Sequence, residues 1–418
     1  MQGISTSLIF TLIIILAFAA SKLVNYFGRN SSFVKISVFF ILGTLLGPNF
    51  NNALVSADGM SSLKILAYIL GSSLSFWIGL KLLPSKTEKY LISKTFIIYI
   101  FSSGLFFMMF VSLFFIVGRK YFGINSIEDF YQSRYYYLIL FLSFVFPYSS
   151  GLIHFFTTKD VKSSGVVFPF INQVNNALQF WVIIALGLLT FSTQLFSGFT
   201  DHQVTSTHAI VTLSMLAIGP LLGFLLTQFI GKSNQENRII LATLGGVFFA
   251  AGLGFHLGCG VLLINVLMGI MVSKLYKDAD KLAKIIQAQR QPILAIVLVV
   301  ASSNISIPSF EIIGLAALFI TLRFAFIQFL LAKQITLFFF KTPNHFQFLG
   351  RGVLAQDTVI VVLAMMIGEY YPEISSEIIF ISLINLLFFE IVGLNKARAM
   401  LIDCDELKKV EGIFSPKS

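Results

Sequence analysis

Four amide side chains recur at helical spacing within one long apolar stretch, Ser163–Phe191. They are Asn172, Asn175, Asn176 and Gln179. Offsets of three, four and seven residues place all four on one side of a helix. Counted from the start of the stretch, the middle pair lies roughly 19 Å into a hydrocarbon core about 30 Å thick. Unpartnered amides are costly there, so the row must face other helices or a water-filled cavity. It either ties helices together or forms the floor of a permeant-ion site.

Two ionisable residues lie deep in other apolar stretches. Arg323 is about 20 Å into its stretch, where a cation costs at least ~2.5–3.5 kcal/mol unless something compensates it. Asp357 lies about 15 Å into the next one and is the carboxylate nearest the midplane, ahead of Glu390. We expect Arg323 and Asp357 to pair with each other or to line the same wet cavity. A structural ion pair and a role in an ion pathway are both open at this point.

Two apolar stretches are interrupted by proline or glycine. The first interruption, FPYSSG, contains Pro147, Ser149 and Ser150 and precedes the amide-bearing stretch. The second, FLGRG, contains Gly350–Gly352 and begins the stretch that carries Asp357. Such residues free backbone carbonyls that can coordinate a cation. Corresponding interruptions in two halves of a chain point to the binding site of a transporter.

The amino-acid composition indicates which kind of secondary structure positions these residues. Of 418 residues, 56% are hydrophobic and only 11% are charged, less than half of the about 25% found in soluble proteins. The short alternating segments of a membrane barrel are absent, which predicts a polytopic all-α membrane protein. The net charge of +10 falls mainly in loops between apolar runs, so it does not indicate nucleic-acid binding. The sequence contains only two cysteines, no metal-ligand spacing and no nucleophile with a neighbouring base. It therefore predicts that the protein is not an enzyme and has no cofactor.

About thirteen transmembrane helices are predicted, in one transporter domain over residues 1–400 followed by a short cytoplasmic tail over 401–418. The apolar segments are 5–27, 33–47, 62–83, 93–117, 135–156, 163–191, 207–230, 238–255, 259–276, 285–303, 310–333, 347–368 and 376–398. Alternate loops carry Lys and Arg, and all but one of the intervening loops carry none. This alternation places the amino terminus outside and the carboxyl terminus in the cytoplasm. Segment 5–27 ends in AFAA, as signal peptides do, but no basic residue precedes it, so we expect it to be retained.

Five stretches, in order along the chain, resemble elements of the monovalent cation:proton antiporter family, in particular the Kef-like sodium/proton-exchanger membrane domain. They are ILGTLLGPN, LSFWIGLKL, GFHLGCGVLLINVLMGIMVSK, QAQRQPILAIVLVVASSNISI and GRGVLAQDTVIVVLAMMIG. The second is similar to FLAGLEL, with Lys81 where an acid is usual, and the last is similar to PRGEVALVLAxIG, with Val353 in place of the acid. The likeness extends over nearly the full length.

The resemblance implies two inverted repeats that cross at broken helices, and a core domain that moves against a dimerisation domain in a homodimer. It also implies exchange of sodium or potassium for protons across the inner (plasma) membrane, with cations, protons and lipid as partners. Arg323 matches the family's basic residue in the later core helix. Asn175 and Asn176 match its acidic pair, and this is the main departure, because an amide cannot carry the exchanged proton.

Two explanations are compatible with that departure. In the first, Asp357 is the titrating group with Arg323 as its charge partner. The neutral lining then consists of the remaining polar side chains, Asn172, Asn175, Asn176, Gln179, Ser149 and Ser150. In the second, the chain has lost antiport and is a uniporter, a sensor or a membrane-embedded binding subunit.

Overall fold

The apolar stretches form helices throughout the part of the chain that the structure describes. A computed structural model describes residues 32–47, 57–82, 88–113, 115, 134–151, 167–197, 205–231, 235–256, 260–288, 290–306, 308–328 and 349–407. Every regular element within these ranges is helical. The predicted all-α class is therefore confirmed, and the predicted span 5–27 lies outside the described residues.

Fourteen α-helices occupy these ranges, with one 3₁₀ turn, Pro372–Ile374, before the last. The first seven are α1 Ser32–Leu46, α2 Ala57–Leu82, α3 Glu88–Leu113, α4 Arg134–Val145, α5 Val167–Ser197, α6 Thr205–Gly231 and α7 Glu236–His256. The others are α8 Val261–Leu275, α9 Ala279–Ala288, α10 Arg290–Ser303, α11 Phe310–Phe326, α12 Leu349–Gly352, α13 Val359–Tyr370 and α14 Ser375–Asp403.

Membrane-spanning character is strongest in four of the described helices. They are long and apolar enough to cross a bilayer, and a fifth span is added if α9 and α10 together count as one. The helix α5 is not among the four. The chain is a multi-pass membrane protein, and the number of thirteen spans stays a prediction.

Two predicted segments are helical over only part of their length. The segment 135–156 is helical only as far as Val145, and its described continuation to Gly151 is non-helical. The segment 285–303 divides into the end of α9 and the whole of α10, which begins at Arg290. This division places a basic side chain at the first residue of a helix that packs against α1, α13 and α14.

Close packing of α10 against α1 fixes the position of α10. A Cβ atom built on Gly43 would lie 2.3 Å from the carbonyl oxygen of Val299, and one on Gly47 would lie 2.3 Å from that of Ser303. Only glycine allows two helix backbones to approach so closely, as is common at helix interfaces in membranes. The last helix, α14, similarly packs against α11, α12 and α13. These contacts surround the place where the two interruptions meet.

Candidate functional site

The two interrupted helices cross each other, and a main-chain hydrogen bond joins their non-helical segments. After α4 ends, Pro147 and the residues up to Gly151 are non-helical, and after α12 the chain is non-helical until α13 begins at Val359. The backbone N–H of Ser150 donates a hydrogen bond to the carbonyl oxygen of Ala355 at 2.8 Å. The second break therefore follows the glycines of FLGRG, which form the single turn of α12, rather than coinciding with them as predicted.

Asn175 joins both interruptions to the amide-bearing helix. Its Nδ2 donates to the carbonyl oxygen of Ser150 at 2.8 Å and to that of Gly352 at 3.0 Å. Ser150 lies in the non-helical segment after α4 and Gly352 is the last residue of α12, so neither carbonyl has an intrahelical donor. The donor end of this amide thus ties α5 to the crossing.

Asp357 is the most extensively hydrogen-bonded side chain at the crossing. Its Oδ1 accepts from the Tyr148 hydroxyl and, at 3.1 Å, from the backbone N–H of Val359, which begins α13. Its Oδ2 accepts at 3.2 Å from each of three groups: Ser150 Oγ, Gln179 Nε2 and Arg290 NH2. The residue is only 4% exposed. Five donors from four separate parts of the chain fill the acceptor capacity of an ionised carboxylate.

The ion-pair partner of Asp357 is Arg290. The two charged groups are 3.2 Å apart, and their side chains are 14% and 3% exposed, respectively. A second buried carboxylate, Glu390 of α14, also lies within electrostatic reach of Arg290. The expected pairing of Arg323 with Asp357 is therefore wrong, because Arg290 at the start of α10 occupies the position beside the carboxylate.

Arg323 instead compensates the broken end of α4. Its Nε donates to the carbonyl oxygen of Phe146 at 3.0 Å, and its NH2 donates to that of Tyr148. The guanidinium carbon lies 4.1 Å from the centre of the Phe389 ring, at a distance typical of a cation–π contact. The side chain is completely buried. Arg323 and Asp357 thus belong to one assembly, and Tyr148 connects them through its carbonyl and its hydroxyl.

The amide row of α5 presents oxygen atoms that have no donor. Asn175, Asn176 and Gln179 are buried, and their side-chain oxygens lack a hydrogen-bond partner among the described residues, as does Ser149 Oγ. A Cβ built on Gly151 would lie 2.7 Å from Asn176 Oδ1. The amide nitrogens of Asn175 and Gln179 make interhelical contacts, so the same side chains tie helices together with one end and leave a free acceptor at the other.

Asn172 lies one turn before Asn176 on the same face. Its Oδ1 would be 2.9 Å from a Cβ on Gly151, so the two amide oxygens converge over that glycine. Neutral amide and hydroxyl oxygens in a confined space suit an alkali cation. Among the described residues, no group of three or more His, Cys, Asp or Glu side chains could hold a metal ion.

Two residues of this assembly were missed in the sequence. Tyr148 lies inside FPYSSG, and its position directly after Pro147 and before two serines was the available signal. Arg290 lies near the end of a predicted span, where an arginine usually extends to the membrane surface. Its side chain instead extends inward to Asp357, a direction that hydropathy does not reveal.

The crossing of two interrupted helices, each in a different half of a multi-pass helical bundle, defines an antiporter-like fold. Among solved structures, the chain is similar to the sodium proton antiporter MjNhaP1 from Methanocaldococcus jannaschii at pH 8. The TM-score is 0.59 at 14% identity, over 97% of this chain and 100% of the other. This likeness establishes the fold. No protein-family profile and no curated protein sequence matches the chain.

Proposed function

We propose that the protein is a secondary active transporter, not an enzyme, that exchanges a monovalent cation, Na⁺ or K⁺, for protons by alternating access. The observation that carries this proposal is a buried carboxylate, Asp357, held at the crossing of two interrupted helices beside amide oxygens that lack donors. The sodium proton antiporter with the same fold supports it further.

The proposal assigns proton and cation to neighbouring groups. Asn175 and Asn176 cannot titrate, so the proton must bind to a carboxylate. Asp357 belongs to the second interruption, and its carboxylate accepts hydrogen bonds from Tyr148 and Ser150 of the first. The oxygens of Asn172, Asn175, Asn176 and Ser149, joined by that of Gln179, supply neutral ligands for the cation.

The two arginines have different roles in this mechanism. Arg290 is the counter-charge of Asp357 and occupies one of its oxygens at 3.2 Å. A proton or a cation that reaches Asp357 must displace one of its present donors, because the carboxylate has no free acceptor position. Arg323 holds the carbonyls of Phe146 and Tyr148 in the first interruption in place. In this mechanism the cation at the neutral oxygens also reaches Asp357 and competes there with the proton, and this competition couples the two fluxes.

The experiment is exchange in everted membrane vesicles over a neutral to alkaline pH range. Addition of Na⁺ or K⁺ collapses an imposed pH gradient in the wild type, and the variant Asp357→Asn abolishes this response. The matched control is Asp278→Asn, which neutralises an exposed aspartate after α8 and retains exchange. Full activity of Asp357→Asn would remove this carboxylate from the mechanism.

The second candidate function is that of a uniporter, sensor or binding subunit without proton coupling. It is favoured by the amides at the acidic pair and by the saturation of Asp357 with five donors, as in a purely structural ion pair. It predicts that cations move, or bind, without collapsing a pH gradient in the wild type. Isotope uptake driven by a membrane potential at constant pH separates it from antiport.

The proposal includes a homodimer in the inner (plasma) membrane with the amino terminus outside and the carboxyl terminus in the cytoplasm. Labelling of Cys404 with an impermeant maleimide, in a variant lacking Cys259, tests the orientation. Burial and the nearby carboxylates of Glu406 and Asp403 raise the pKa of the Cys404 thiol, so the reaction needs alkaline buffer. We expect labelling in everted but not in right-side-out vesicles.

A further inference from the structure

Glu406 caps the amide-bearing helix from the opposite end of the chain. It lies beyond the last helix, yet it is only 6% exposed. Its two carboxylate oxygens accept hydrogen bonds from the backbone N–H groups of Val167 at 2.6 Å and Phe168 at 2.7 Å. The first N–H groups of a helix have no intrahelical acceptor, and the helix dipole favours a negative charge there. The carboxylate therefore supplies both the missing acceptors and the favourable charge.

The backbone after α14 fixes the position of this carboxylate. The chain reverses at Asp405, which has a φ of 54°, and the N–H of Glu406 donates to the carbonyl oxygen of Leu401 at 2.8 Å. Asp403, the last residue of α14, accepts from Arg351 of α12 at 2.9 Å. The segment 403–407 thus joins the start of α5 to α12 and to the end of α14.

The joined elements meet at Gly352, next to the amide row. A Cβ built on Gly352 would lie 2.8 Å from Ile171 Cγ2 and 2.9 Å from the sulfur and Cε of Met400. The carbonyl oxygen of Gly352 accepts from Asn175 at 3.0 Å. A shift of α5 at the end that Glu406 holds would therefore change the packing around this glycine and the direction of the Asn175 amide.

We propose that Glu406 is a positioning residue for the cation-binding amides. Asn172 and Asn176 follow Val167 by five and nine residues, or about 7 to 14 Å along the helix. Glu406 holds the first turn of α5 and so sets the height and rotation at which these oxygens face Gly151. This inference rests on the proposed cation transport, and its test separates the two.

The cap itself is tested without transport, by hydrogen–deuterium exchange of the purified protein. In Glu406→Ala, the backbone amides at the start of α5 exchange faster than in the wild type, because their acceptor is gone. The matched control is Glu311→Ala, which removes an exposed carboxylate from the first turn of α11. It leaves α5 unchanged. Equal protection of α5 in Glu406→Ala and the wild type would overturn the cap.

Positioning is tested by the cation dependence of exchange in proteoliposomes. Loss of a helix cap changes an equilibrium constant by about fivefold. We therefore expect Glu406→Ala to raise the apparent KM for the cation about fivefold. A purely structural role would lower the maximal rate through loss of active protein and leave KM unchanged, which would overturn the proposal. If the wild type shows no exchange, the proposed function fails while the deuterium result still stands.

A second variant covers the case in which Glu406→Ala does not reach the membrane. Glu406→Gln keeps the length of the side chain and one acceptor oxygen but loses the charge. It raises KM by a smaller factor than the alanine variant, and Glu406→Asp restores KM toward the wild-type value. Wild-type KM in Glu406→Gln together with unchanged exchange of α5 would overturn the positioning role.

Discussion

The hydroxyl of Tyr148 offers a quantitative test of the site, because its removal changes very few atoms. The variant Tyr148→Phe loses the donor to Asp357 Oδ1 and the acceptor of Gln179 Nε2 at 3.1 Å. Gln179 keeps its bond to Asp357 Oδ2 at 3.2 Å, and the backbone carbonyl that accepts from Arg323 is unaffected. The remaining loss is one hydrogen bond to a charged group, worth about 1.5–3 kcal/mol.

Tyr99→Phe is the matched control for this experiment. Tyr99 is also buried, but its hydroxyl donates to a neutral carbonyl, that of Phe144, at the long distance of 3.3 Å. Loss of such a bond costs about 0.5–1 kcal/mol. We expect equilibrium unfolding in bicelles to show a destabilisation of about 2 kcal/mol for Tyr148→Phe and less than half of that for Tyr99→Phe.

A double-mutant cycle with Asp357→Asn decides whether the effect passes through the carboxylate. In the Asp357→Asn background the Tyr148 hydroxyl has no charged acceptor, so Tyr148→Phe costs about 1 kcal/mol less than in the wild type. Additivity within about 0.5 kcal/mol would show that the two side chains are energetically independent. The same conclusion would follow if Tyr148→Phe were no more harmful than its control.

Two further predictions concern the packing of the crossing. Gly393→Ala destabilises the protein by about 1–3 kcal/mol or more in the same unfolding assay, because the new Cβ would lie 2.7 Å from the backbone of Ala355. Gly314→Ala, where a Cβ meets nothing within 4 Å, is neutral or stabilising, and equal effects would contradict the close approach. Asn175→Asp is more destabilising than Asn176→Asp by about 2 kcal/mol, since it replaces two donations to main-chain carbonyls with repulsion. The reverse order would refute the assigned contacts.

Helix positions follow closely from hydropathy in this chain. The predicted segments 33–47 and 259–276 correspond to α1 and α8 within two residues at each end. Long apolar runs have few alternatives in a bilayer, since only a helix satisfies its own backbone there. The breaks were harder to locate, because glycine permits a departure from helical geometry without requiring it. Gly350–Gly352 accordingly forms a helical turn, and the chain leaves the helix after it.

The sequence predicted which residues form the site better than it predicted which of them contact each other. Every polar residue named from the amide row and the first interruption lies at or beside the crossing. The partner of Asp357 was not accessible, because two arginines can each balance a buried carboxylate and residue spacing does not choose between them. The choice depends on the rotation of α10 and α11, which side-chain packing across several helices determines.

The bond between the Ser150 amide and the Ala355 carbonyl is made by main-chain atoms alone. Any residue except proline can therefore occupy position 150 without loss of this bond. The backbone geometry of the crossing is to this extent independent of the side chains that form the site. Acidic side chains can be replaced by amides, and the ion selectivity can change, while this main-chain hydrogen bond between the two interrupted segments remains.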